Sequence, residues 1–311
     1  MRETWRLGTA ALLLASALCA GCSAAVSGAR PDAADPSGAQ APVAAISGAA
    51  ASPGPGSPGT GSRGTGSPGG SPGTRSPGTG SAGTAPTAAR PLAGKIVGID
   101  PGHNGGNFND PAYIDQLIWN GREEETCDTT GTATASGYTE ARFNFSVARF
   151  LRADLIADGA RVVMTRHSDN GVGPCVTTRA EIIDRAHADV AIDIHADGGP
   201  ASGRGFTVLE PVGDGPNDKV IRSSVRFGAD VRAALLTHTS MPKSDYDGRN
   251  GVTFRDDLAG LNLTTVPKVL VECGNMPNAT DARLLTTLRF QRQLARAFTA
   301  AIVAFLTSRQ T

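Results

Sequence analysis

Several apolar runs of strand character in this chain end in a side chain that can bind a metal or move a proton. KIVGID leads into Asp100, Pro101, Gly102 and His103; VAIDIH ends in Asp193, Ile194 and His195; KVLVE ends in Glu272. Glu140, directly after Thr139, opens a helical pattern that could face the same sheet edge. Two imidazoles and a carboxylate suit zinc, which accepts ring nitrogen and carboxylate oxygen. Three protein ligands would leave a fourth position for water, as catalytic sites do. No short motif such as H-E-x-x-H joins these residues, and each has a duller alternative. The histidines could be turn residues, Glu140 could only favour the positive end of its helix, and Glu272 could be a structural strand-end acid. Asp100 and Asp193 either orient imidazoles or simply bond nearby backbone.

The glycine turn after the first run also raises phosphate binding. Gly102, Gly105 and Gly106 are present, but no Gly-Lys-Ser/Thr follows and residues 107–111 do not read as a helix start. Neither the phosphate-loop nor the dinucleotide pattern is matched.

The elements that must position these residues follow from periodicity. Strands are expected at 95–100, 161–165, 190–195, 205–209 and 268–272. Helices are expected from Thr139 to about Asp158, over 177–187, over 221–236, and through a long terminal region, 281–306. Alternating strands and helices predict an α/β fold, a single domain with a mostly parallel central sheet flanked by helices and preceded by a disordered linker. In such sheets the site lies at the carboxyl ends of the strands.

Composition divides the chain of 311 residues into three parts. Residues 1–22 read as an export signal, with Arg2 and Arg6 before an apolar stretch too short to span a bilayer. LCAGC, ending at Cys22, resembles a lipoprotein box, although Cys19 stands where leucine is usual. Lipidation of Cys22 would anchor the protein at the membrane of the cell envelope; ordinary cleavage near Ser23 and Ala25 would release it. Residues 23–91 are rich in Ala, Gly, Ser, Pro and Thr, with too little to bury to recover the entropy of ordering. Residues 92–311 have globular composition. That part is slightly acidic and has no basic cluster, which argues against a nucleic-acid partner.

Four blocks carry a resemblance: IVGIDPGHNGG, TEARFNFSVARFLRADLIADGARVVMTR, TTRAEIIDRAHADVAIDIHAD and LTTVPKVLVECGNMPN. In this order and spacing they resemble the type 3 zinc-dependent N-acetylmuramoyl-L-alanine amidases over residues 94–306. The resemblance implies zinc ligands at His103, Glu140 and His195 and a catalytic glutamate at Glu272. It implies a peptidoglycan hydrolase, of the autolysin kind, that cuts the amide between N-acetylmuramic acid and L-alanine in the polymer or its muropeptide fragments. Zinc would activate a water, and Glu272 would serve as general base and then acid. The competing readings are an inactive wall-binding or regulatory lipoprotein and another zinc peptidase. A monomer is expected.

His167, His187 and His238 match no ligand position, while His238, Arg255 and Asn275 are candidates for substrate contact. Cys273 follows Glu272 in a strand and should face packing. Cys127 and Cys175 fall in loops bordering the site, where a disulfide is expected in an exported domain.

Overall fold

The computed structural model describes residues 90–213 and 215–308. The expected export signal, Cys22 and nearly all of the expected linker lie outside the described residues.

In chain order the elements are β1 Ile96–Pro101, a 3-10 turn Asn107–Asn109, α1 Pro111–Ile114, β2 Leu117–Trp119, β3 Glu124–Thr126 and α2 Glu140–Ala157. Then come β4 Arg161–Met164, α3 Val176–Arg185, β5 Val190–Asp197, β6 Thr207–Pro211 and α4 Ile221–His238. The chain closes with β7 Val252–Arg255, α5 Ala259–Asn262, β8 Lys268–Asn275, α6 Ala279–Leu285 and α7 Leu288–Thr307. Six strands form one sheet in the order β4-β1-β5-β8-β6-β7, and β2 pairs with β3 in a separate hairpin. All pairings in the large sheet are parallel except β6 with β8.

Strand alternation gives the sheet two unlike faces. Val97, Ile99, Ile192, Ile194, Val269 and Val271 enter the main core, shared with side chains of α2, α4 and α7. Cys273 joins this core as expected. On the other face Ala191 packs with Ile183 of α3, and Leu209 and Leu270 pack with Leu261 of α5. The residues that alternate with the core set, Asp100, Asp193, His195, Lys268 and Glu272, belong to this second face.

Local chemistry sets the element ends. The Thr139 side chain accepts from Arg142 N–H and caps α2, so Glu140 occupies the first helical position. The expected long terminal helix is two helices, because Thr287 leaves helical geometry and its side chain caps α7 through Phe290 N–H. The stretch after the glycine turn is more regular than expected, since Asp110 caps the single turn α1. Also unanticipated, the β2–β3 hairpin docks on the segment after β7. The Glu125 carboxylate accepts from Ala259 N–H at 2.8 Å, Asn120 donates to the Asp257 carbonyl at 3.1 Å, and Arg122 pairs with Asp256.

One acid lies on the core side. Glu210 of β6 is only 4% exposed and rests against Gly228 of α4. Burial raises its pKa to about 7, and the Arg232 charge only partly opposes this. A folded-state value above the unfolded one makes this contribution to stability full below the unfolded pKa; it is lost as pH rises through about 7. Glu210→Gln should therefore gain on wild type by roughly 1–3 kcal/mol between pH 5 and pH 8. Melting curves at the two pH values test this; an unchanging gap would show that Glu210 does not titrate there.

Candidate metal centre

The sheet register brings the strand-end residues together. On adjacent parallel strands His195 of β5 stands directly opposite Glu272 of β8. His103 lies two residues beyond β1, and Glu140 reaches over the same edge from the first turn of α2. The ligand atoms of His103, Glu140 and His195 all lie within 4.8 Å of one another. Glu140 Oε1 is 2.8 Å from His195 Nδ1 and 3.3 Å from His103 Nε2. The two rings meet edge to face, with centroids 4.8 Å apart.

Two glycines make this closeness feasible. A Cβ at Gly102 would run into the His195 imidazole, and one at Gly131 would come within 2.7 Å of both Glu140 Oε2 and the His103 ring. His103 itself sits at φ 55°, a left-handed conformation that side chains other than glycine rarely hold. Arg166 secures the turn: its guanidinium donates to the carbonyls of Pro101, Gly102 and Ala141.

Glu140 is gripped on both oxygens. Thr132 N–H donates to Oε2 at 2.9 Å, and Ala196 N–H and the Asn144 amide donate to Oε1 at 3.3 and 3.4 Å. Burial works to raise its pKa, but the His103 charge and bonds from both imidazoles hold the carboxyl well below its usual range. Burial likewise opposes charge on His103, yet Glu140 and Asp128 raise it to about 9. His195 is raised well above its usual value by Asp193 and Glu140 against the same opposition. The carboxylates thus make this a place that attracts positive charge.

Glu272 differs from these three. Burial, reinforced by the Glu140 and Asp197 carboxylates against the His195 and His103 charges, raises its pKa to about 8. Its Oε2 is buried without a hydrogen-bond partner. A buried, unpartnered carboxylate oxygen beside two imidazoles and a carboxylate is the kind of orphan that a bound group satisfies. The donor set of two nitrogens and one oxygen fits zinc.

A cavity of about 310 Å³ opens onto the centre, lined among others by His103, His195, Glu272, Arg255 and Leu261. Of the other candidates, Arg255 lines this cavity, where Asp257 accepts from it at 2.6 Å. Asn275 is a structural residue instead: it is fully buried, and its amide donates to the carbonyls of Pro200 and Gly203. His238 ends α4 and does not line the cavity.

The imidazole partners are Asp128 and Asp193. Asp128 Oδ1 is 3.1 Å from His103 Nδ1, and Asp193 Oδ1 is 3.3 Å from His195 Nε2. Asp100 touches neither ring and pairs with Arg179 and Lys268. Asp128, Arg166, Arg179 and Lys268 were not anticipated. For Lys268 a signal existed: strand alternation places it on the face of Leu270 and Glu272.

The expected disulfide is corrected. Cys127 and Cys175 are buried free thiols. The fold joins their segments through Val176 N–H, which donates to the Cys127 carbonyl at 2.8 Å. Joining the thiols takes an oxidant, which folding does not supply.

Comparison with known proteins agrees with this geometry. A family model described as N-acetylmuramoyl-L-alanine amidase matches residues 97–304. The N-acetylmuramoyl-L-alanine amidase Rv3717 of Mycobacterium tuberculosis is 40% identical over 222 residues, which cover 69% of this chain and 88% of that protein. The crystal structure of the N-acetylmuramyl-L-alanine amidase Ami1 from Mycobacterium smegmatis matches with a TM-score of 0.66 and 40% identity, covering 70% of this chain and 99% of its own. Apo Ami1 from Mycobacterium abscessus matches with a TM-score of 0.66 and 41% identity, covering 70% of this chain and 100% of its own.

Proposed function

Because this chain belongs to the N-acetylmuramoyl-L-alanine amidase family, we propose that it hydrolyses the amide between N-acetylmuramic acid and the L-alanine of the stem peptide in peptidoglycan. The observation that carries the reading is the pairing of His195 with Glu272 across β5 and β8, beside Glu140 and His103. His103 Nε2, His195 Nδ1 and a Glu140 oxygen would hold zinc. When bound, that ion supplies Lewis acidity to the scissile carbonyl and to a water.

The chain's own part is proton movement and orientation. Glu272 takes the proton of the attacking water as the carbon–oxygen bond forms. It then delivers that proton to the alanine nitrogen as the carbon–nitrogen bond breaks, leaving a lactyl carboxylate and a free amine. Burial raises its pKa, which makes its carboxylate a stronger base for that water. The apolar walls from Leu209, Leu261 and Leu270 limit water around the charged groups. Product analysis on purified peptidoglycan, with zinc supplied or chelated, tests the reading. Lactyl-ended glycan and alanine-ended peptide, lost on chelation, are expected; cleavage between peptide residues would point to a zinc peptidase, and no cleavage to a binding protein.

The same reading assigns residues 1–22 to an export signal, 23–91 to a tether and 92–311 to the catalytic domain. It places the protein outside the cytoplasm, at the wall that is its substrate, with lipidation of Cys22 as an anchor. No helix among the described residues is long and apolar enough to cross a membrane.

A further inference from the structure

Five buried charged side chains alternate in sign beneath the candidate centre. Asp128 Oδ2 accepts from Arg179 Nη2 at 3.1 Å, and Arg179 Nη1 donates to Asp100 Oδ1 at 3.1 Å. Asp100 Oδ2 accepts from Lys268 Nζ at 2.8 Å, and that ammonium stands 3.2 Å from Asp193 Oδ2. The end carboxylates are the two that face the imidazoles, Asp128 toward His103 and Asp193 toward His195. Asp128 thus spends one oxygen on a cation and the other on a hydrogen bond with His103 Nδ1, while Asp193 spends one on Lys268 and leaves Oδ1, which has no hydrogen-bond partner, 3.3 Å from His195 Nε2. Lys268 is fully buried, and Gly260 lies over it so closely that a Cβ there would be 3.3 Å from Nζ.

Stability alone is a poor reason for this arrangement. Taking two cations and three carboxylates out of water costs several kcal/mol per ion, and apolar replacements of such groups are often neutral or stabilising. The geometry also does something an apolar core could not. A carboxylate facing one nitrogen of a neutral imidazole keeps the proton on that nitrogen and leaves a lone pair on the other. By this argument Asp128 assigns the proton to His103 Nδ1, and the Asp193 charge 3.3 Å from His195 Nε2 favours a proton there, so that the lone pairs belong on His103 Nε2 and His195 Nδ1, the two atoms beside Glu140.

We propose that Lys268 and Arg179 are positioning residues for the metal centre, holding Asp193 and Asp128 so that both imidazoles present the correct nitrogen. The inference rests on the zinc reading above, and it concerns residues outside the clustered ligand set. Asp100 joins the two arms, so that both histidines are set by one connected unit drawn from β1, β5, β8, α3 and the loop after β3.

The test is a double-mutant cycle on the full chain, read as zinc affinity by competition with a chromophoric chelator. Lys268→Met and Asp193→Asn should each weaken zinc binding by about 10–100-fold. The double variant should bind no more weakly than the worse single variant, because Lys268 acts through Asp193. Asp193→Asn is nearly isosteric and keeps the experiment informative if Lys268→Met does not fold. Cobalt-substituted protein supplies a second readout: both single variants should shift its visible absorption bands, and Lys95→Met, which alters a surface pair with Asp189, should not. Wild-type protein that binds no metal would overturn both the zinc centre and this inference. Tight wild-type binding with unaltered affinity and spectra in the variants, or strictly additive losses, would overturn the inference alone.

Discussion

Glu272→Gln is expected to lower hydrolysis of the muramoyl–alanine amide by about 10²–10⁴-fold while zinc affinity stays within a few fold of wild type. The amide keeps the size of the carboxyl and its place opposite His195 but can no longer accept a proton from water. Zinc retention follows from geometry, since the clustered ligand atoms come from His103, Glu140 and His195. A second consequence separates this from simple damage. Burial raises the Glu272 pKa to about 8, above its unfolded value, so its ionised form costs folding stability that the protonated form does not. Metal-free Glu272→Gln should thus melt above metal-free wild type at pH 9, as expected where a site keeps a destabilising group for function. Turnover near wild type in this variant would remove Glu272 from the chemistry. Lost zinc together with lost turnover would make it a ligand instead.

That Glu272, His195 and His103 belong to one edge was legible because each ends an apolar run, and parallel strands align their ends. Glu140 was legible through Thr139, whose capping fixes where α2 begins. What escaped the sequence has a common physical cause. Charged residues read as solvent-exposed unless their partners are known, and the partners here are distant: Lys268 meets Asp100 across 168 residues, and Arg179 meets Asp128 across 51. The strands β2, β3 and β7 span only three or four residues, too few for a period of two to stand out. Their order comes from tertiary bonds such as Glu125 to Ala259, which no local pattern announces. Asp128 was hidden for the same reason, in a loop whose only apparent feature was Cys127.

Arg166→Met should strongly destabilise the fold around the centre. Arg166 is buried and gives its Nε hydrogen to Pro101 O at 2.9 Å. Its Nη1 donates to Ser168 O at 2.8 Å and Asp169 Oδ1 at 3.0 Å, and its Nη2 to Ala141 O at 2.7 Å and Gly102 O at 3.2 Å. Burial and the nearby Arg179 charge lower its pKa to about 10, which leaves it charged at neutral pH. Methionine fills a similar volume but satisfies none of these acceptors, and leaving buried polar partners behind costs about 3–5 kcal/mol. For a domain of this size that is a fall in melting temperature of roughly 6–20 °C. Zinc affinity should fall with it, because the same side chain ties the Gly102 turn that carries His103 to the first turn of α2 that carries Glu140. Arg166→Lys distinguishes charge from shape: one ammonium cannot span acceptors on three segments, so it should recover little of either loss. A lysine variant that melts and binds zinc like wild type would show that the charge alone suffices. A methionine variant that does so would show that the turn holds itself.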